Sequence, residues 1–217
     1  MPFREITARG RACPVFVPRD STPGGPRPCV LFLHGVGENG DDGRRHLEVG
    51  LPPCVRARGE TFPAVALFPQ CRGPWKYVGE DERFVLEALA EAERRFGIDP
   101  RRIYLTGISQ GGCSAFDLGA TYPDRWAAVV VVCGAGRPAD APRLGKLPVW
   151  IFHGELDEAV PPSGGHGFDR ESVGGRDMAR LIPGARYTEY PGADHFIWDR
   201  VYADPALWDW LFAQRRP

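Results

Sequence analysis

Residues 29–33, 64–68, 102–106, 126–132 and 148–152 are short runs dominated by apolar side chains, and together they constrain this chain more than any other feature. Each has strand length rather than helix length. None shows the alternation of a half-exposed strand, so both faces of each strand must be buried. The segments between them supply the cover. From Asp81 to Phe96, the residues Val85, Ala88, Leu89, Ala92 and Phe96 recur at helical spacing, Glu87, Glu91 and Arg94 lie off that stripe, and Gly97 is placed to end the helix. Strands buried on both sides and separated by helices predict an α/β fold: a mostly parallel central sheet flanked by helices on both faces. An extended pair turning around Arg9-Gly10-Arg11 precedes it, a short strand at 187–190 and a helix at 205–212 follow, and no repeat or low-complexity linker interrupts. A single domain spanning 1–217 is expected.

Charge and composition narrow the function classes. The formal net charge is −1, and the basic residues are scattered, so nothing suggests a nucleic-acid or anionic-membrane surface. No apolar stretch approaches the roughly 18 residues of a spanning helix, and the first residues lack the apolar core of a signal peptide, so a cytoplasmic location is expected. The six cysteines form no CxxC pair and no metal-ligand spacing. Free thiols are expected, with Cys29 and Cys133 buried in their apolar runs and one disulfide as the alternative, and no metal or other cofactor is expected.

The chemistry concentrates at Gly107-Ile108-Ser109-Gln110-Gly111, a G-x-S-x-G sequence between a strand and a helix. That is the setting of a nucleophile elbow, in which glycines allow a tight turn and the serine stands above the sheet at a helix N-terminus. A serine hydroxyl needs a base. Of the five histidines, His195 lies in a loop just past the last short strand, where catalytic loops of open α/β sheets belong. His166, in a Gly-rich stretch, is its main competitor. His34 and His153 are expected to support backbone, and His46 to lie on a surface helix. Asp157, in the loop after strand 148–152, is the candidate to orient the imidazole. Glu155, Glu158 and Asp194 are its rivals. The oxyanion of an acyl-transfer intermediate needs backbone donors. The N–H of Gln110 is one, and the Gly-rich loop 34–40 offers a second at Val36.

LFLHGVGENG, FPQCRGPW, LTGISQGG, HGELDEAVP and GADHFIW occur in that order over most of the chain. Together they resemble the α/β-hydrolase superfamily, and within it the phospholipase/carboxylesterase branch with its predicted-peptidase and polyhydroxybutyrate-depolymerase-like relatives. The resemblance implies a serine carboxylesterase with Ser109, Asp157 and His195 as triad and the amides of Val36 and Gln110 as oxyanion hole. A peptidase, or a feruloyl-type esterase for aromatic acids, is the alternative on the same triad, and a catalytically inactive hydrolase-fold binding domain is the alternative of another class. Dienelactone hydrolases share the fold but use Cys where this chain has Ser109. The chain departs from the family pattern at 161–175, a Gly-rich stretch where relatives run into an amphipathic helix. That leaves open whether the segment is a helix or a loop over the site.

Residues 133–147 are too few to hold a cap domain between two core strands, so an open site for short acyl chains is expected. Trp75, Tyr77, Phe168, Phe196 and Trp198 lie in or near the candidate catalytic loops and are candidates for a substrate pocket. The expected partner is a small-molecule ester, with the chain acting as a monomer or homodimer.

Overall fold

The computed structural model describes residues 3–18, 25–73, 76–166 and 169–217. Its frame is an eight-stranded sheet. In chain order the elements begin with β1 (Arg4–Ala8), β2 (Arg11–Phe16), β3 (Arg27–Leu33), α1 (Leu51–Arg58), β4 (Val65–Leu67) and α2 (Glu80–Phe96). The middle of the chain supplies β5 (Ile98–Ile108), α3 (Gln110–Thr121), β6 (Ala128–Val132), β7 (Ala135–Gly136), α4 (Ala141–Leu144) and β8 (Val149–Gly154). Then come β9 (Gly165–His166), β10 (Asp169–Gly174), α5 (Gly175–Leu181), β11 (Arg186–Tyr190), α6 (Trp198–Ala203) and α7 (Pro205–Ala213). Strand order is β1-β2-β4-β3-β5-β6-β8-β11. β2 runs antiparallel to β1 and β4, and every pairing from β4 to β11 is parallel. The hairpin between β1 and β2 turns on Arg9 and Gly10, both at positive φ, which suits the right-handed twist of the strands.

The period of two along each strand sorts the core into halves. Cys29, Leu31 and Leu33, with Leu105, Val129, Val131 and Ile151, pack on one face against Ala88 and Leu89 of α2, Phe116 of α3 and Met178 of α5. Val30 and Phe32, with Ala66, Tyr104, Val130 and Phe152, pack on the other against Val55 of α1, Val201 of α6 and Trp208 of α7. Each fully buried large apolar side chain contributes about 1.5–3 kcal/mol. α2 ends at Gly97 in the left-handed region (φ 59, ψ 48), with acidic residues in its first turn and arginines in its last. All six cysteines are free thiols. Among the described residues no helix is long and apolar enough to cross a membrane.

The departures from expectation are local. β5 extends well before residue 102, because Ile98 already pairs with Arg27. The described residues before α5 in the 161–175 stretch are neither helix nor plain loop. β9 and β10 pair antiparallel, and β10 pairs with the two-residue β7, giving a separate three-stranded ribbon. His46 is not on a surface helix. It sits buried in a 3₁₀ turn, its ring 5.5 Å from that of His34 and its Nε2 donating to the Phe68 carbonyl at 2.8 Å. The Gly-rich connection after β3 folds back over the end of β4 and carries the imidazole inward.

Candidate active site

Ser109 stands at the carboxyl end of β5 and is the N-cap of α3, with φ 52 and ψ −121. A non-glycine residue with positive φ is strained and persists where its surroundings over-determine it. Here they do. A Cβ on Gly107 would lie 2.2 Å from the Gly111 carbonyl oxygen, and one on Gly111 2.0 Å from that of Leu33. Only glycine at both positions lets strand and helix approach this closely, and the Ser109 N–H donates to Val132 O at 2.9 Å from the neighbouring strand.

His195 Nε2 lies 2.9 Å from Ser109 Oγ, and His195 Nδ1 lies 2.6 Å from Asp157 Oδ2. With the carboxylate accepting from Nδ1–H, Nε2 is left to accept from the serine hydroxyl. All three residues are buried. Asp157 Oδ1 accepts from the N–H groups of Ala159 and Val160 at 3.0 and 2.8 Å. Burial pushes the Asp157 carboxyl up, but hydrogen bonds from His153 and His195 outweigh it and hold the group well below the usual carboxylate range. The arrangement keeps a fixed negative charge behind an imidazole that faces a hydroxyl, which is what proton transfer from that hydroxyl requires.

The rival acids are engaged elsewhere. Asp194 Oδ1 accepts from Phe196 N–H and Glu155 Oε2 from Gly192 N–H, each bracing the His195 loop, while Glu158 points to solvent. Of His166 only the backbone is described, within β9.

The 34–40 loop lies against the nucleophile. A Cβ on Gly35 would come within 3.5 Å of Ser109 Cβ, and Val36 opens a 3₁₀ turn (Val36–Glu38) beside it. Gln110 occupies the first turn of α3, where helix geometry leaves N–H groups without an intrahelical acceptor. His34 supports the loop from below. Its Nε2 accepts from Cys71 N–H at 2.9 Å, its Nδ1 faces Gly35 O at 2.7 Å, and burial pushes its imidazole down to about 3. Gln70 adds a bond from Nε2 to Glu38 O, and Gly40 N–H donates to Cys71 O.

Phe196 is 71% exposed and sets its ring edge-on to His195, and Trp198 meets the same imidazole at 90° with centroids 5.6 Å apart. Tyr77 does not reach the surface. It is buried, with its hydroxyl between His34 N–H and Pro69 O. Trp75 and Phe168 lie outside the described residues.

Several contributors were not singled out by sequence reasoning. Gln70, Cys71 and Asn39 lace the 34–40 loop in place, while His153, expected to support backbone, donates from Nε2 to Val160 O at 2.8 Å and lies 3.3 Å from Asp157 Oδ2, bracing the acid as well. Their signal was the FPQC and HG motifs, which carry no role until the loops meet. Among the described residues one cluster has metal-ligand types, Cys133, His153 and Asp157, with ligand atoms within 4.8 Å of one another. Asp157 is already committed to His195 and two amides, so the cluster serves the acid.

The sheet order and the serine elbow are those of the α/β-hydrolase fold. The chain's relatives are esterases and acyl-protein thioesterases, and it is similar to the phospholipase/carboxylesterase branch. It is 30% identical over 181 residues to "Putative esterase NocK" of Nocardia uniformis subsp. tsuyamanensis, covering 74% of this chain and 50% of that protein. It is 27% identical to acyl-protein thioesterase 1 homolog 2 of Dictyostelium discoideum, covering 60% of this chain and 70% of that one. A crystal structure described as a thermostable esterase superposes with a TM-score of 0.82 at 27% identity, covering 99% of this chain and 63% of the other. The chain thus spans about half the length of NocK and under two thirds of that esterase. No family model matches it.

Proposed function

We propose that the chain is a serine carboxylesterase that hydrolyses short-chain carboxylic esters through an acyl-enzyme. The observation that carries this reading is the unbroken Asp157–His195–Ser109 hydrogen-bond chain ending on a strained serine at a helix N-terminus. Ser109 Oγ attacks the ester carbonyl as His195 Nε2 takes its proton. The carbonyl oxygen becomes an oxyanion held by the N–H groups of Val36 and Gln110, each such donor contributing about 3 kcal/mol to barrier lowering. The imidazolium, stabilised by Asp157, gives the proton to the departing alkoxide. Water then attacks the acyl-enzyme with His195 again as base, and the carboxylic acid leaves.

The short connection between β6 and β8 argues for short acyl chains. It holds only β7, a 3₁₀ turn and the four-residue α4. Each enclosed CH₂ contributes up to about 0.8 kcal/mol, and an open site encloses few of them. A p-nitrophenyl ester series from C2 to C16 tests this. kcat/KM should peak between about C2 and C6 without interfacial activation, and a maximum at C12 or longer overturns the substrate assignment. A second reading, esters of aromatic acids, is favoured by the Phe196 and Trp198 rings beside His195. Methyl ferulate hydrolysed faster than ethyl butyrate would select it.

A further inference from the structure

We propose that the side-chain amides of Asn39 and Gln110 form a clamp that fixes the spacing of the two oxyanion donors, which makes both side chains positioning residues for ester hydrolysis. The proposal rests on the oxyanion hole described above. Its two donors come from separate elements, the loop after β3 and the first turn of α3, and each must sit about 2.7–3.1 Å from the oxyanion at the same moment.

The α3 side needs no help, because Gly107 and Gly111 lock it by backbone contact. The loop side is different. The 3₁₀ turn Val36–Glu38 contains no buried residue, and Val36 itself is 47% exposed, so apolar packing does not hold it. Polar bonds hold it instead. Gly40 N–H and Gln70 Nε2 tie the loop to residues 70–71, beyond β4, and so not to the element that carries the other donor.

The direct link to α3 is the amide pair. Asn39, the residue that closes the turn, donates from Nδ2 to Gln110 Oε1 at 3.2 Å, and Gln110 Nε2 donates back to Asn39 Oδ1 at 3.1 Å. The Gln110 side chain belongs to a fully buried residue, and a further contact from Nε2 to Cys71 Sγ at 3.4 Å sets which way its amide faces. Gly73 backs the other amide so closely that a Cβ there would lie 2.9 Å from Asn39 Nδ2. Two antiparallel bonds between planar groups fix distance and orientation together, where one bond would leave a pivot. The clamp therefore joins the carrier of one donor to the carrier of the other. Freed of it, the turn drifts, and a misplacement of about 1 Å costs on the order of 100-fold in rate.

The test is steady-state hydrolysis of p-nitrophenyl acetate by wild type, S109A, N39A, N39S, Q110A and the N39A/Q110A double variant, with fold and melting temperature checked by circular dichroism. The half-buried Asn39→Ser variant guards against a misfolded alanine variant. Expected is a kcat loss of about 10- to 100-fold in each single variant with KM within threefold, because the lost interaction matters mainly in the transition state. The double variant should lose no more than the worse single one, since either change opens the same clamp. The pH profile should keep its acid limb, because His195 and Asp157 are not touched. Wild-type kcat within twofold in folded N39A and N39S, losses that multiply in the double variant, or an effect on KM alone would overturn the clamp while an inactive S109A leaves the esterase reading standing. A wild type that neither hydrolyses the ester nor labels with a fluorophosphonate overturns both.

Discussion

The two flanks of Ser109 are built by different means. On the oxyanion flank, buried polar side chains converge on one loop: His34, Gln70, Cys71 and Gln110 bond to its backbone, to its side chains or to one another. On the base flank, Asp157 anchors His195 from below, but the loop around it ends in solvent, with Phe196 and Leu156 both strongly exposed. One flank is rigid because its polar groups have no water to turn to. The other is pinned by Asp157 and by backbone bonds such as Leu156 N–H to Ala193 O, but it keeps an open rim. For the proposed ester hydrolysis this division is sensible. The donors that meet developing charge must be preorganised, while the side that admits substrate and water must stay accessible.

Removing the proposed base from the open flank should have the largest effect. His195→Ala is expected to lower kcat by about 10⁴-fold or more with the fold intact, because the triad acts as a unit. Single-turnover kinetics would check it, and retention of a few per cent of activity would contradict the assignment. Next in size is a contrast between glycines. Gly111→Ala drives a Cβ to 2.0 Å from Leu33 O on the rigid flank, whereas Gly192, in the His195 loop, has nothing within 4 Å of the same addition. The first should cost about 3 kcal/mol or more. The second should cost about 1 kcal/mol, for its positive φ alone. Equal shifts in urea midpoint would erase the distinction between the flanks.

The rigid flank should also be acid-labile. Burial holds His34 down to about 3 and His46 down to about 4. An unfolded chain protonates both below roughly pH 6.5, so between there and pH 4 the unfolded state binds more protons than the native one. Stability therefore rises with pH across that window and falls on acidification, by about 1.4 kcal/mol per pH unit for each imidazole. Urea unfolding at pH 7, 6 and 5 measures the slope. His46→Gln keeps an N–H for Phe68 O and should flatten the slope by one imidazole's share, and an unchanged slope would place the acid sensitivity elsewhere. The smallest effect belongs to the open rim. Phe196→Ala should change stability by no more than about 0.5 kcal/mol, yet raise KM several-fold for aryl esters.

Much of this was legible in local sequence, for a physical reason. The runs at 29–33 and 126–132 are buried on both faces, so their apolar character needs no knowledge of partners, and the G-x-S-x-G turn announces itself by its glycines, one of which, Gly107, is required by a contact with Gly111 four residues on. What escaped depends on chain segments meeting at long range. β10 pairs not only with its neighbour β9 but with the distant β7, a pair of residues too short to announce itself. His46 is buried by a fold-back of its loop, and nothing around it in sequence is apolar enough to say so. Asn39 and Gln110 are 71 positions apart, and neither amide signals the other.

Separation along the chain has one more consequence, and it concerns time. Ser109 precedes its base by 86 positions. At about 5–20 residues per second of synthesis, the serine leaves the ribosome roughly 4–17 s before the imidazole proposed to arm it. Throughout that interval the most reactive side chain of the finished molecule is an ordinary alcohol. On the proposed mechanism, hydrolytic power requires the His195 loop to have docked against Ser109. A nascent or truncated chain therefore carries the signature pentapeptide without the reactivity, and a probe that labels Ser109 reports completed folding rather than mere presence of the sequence.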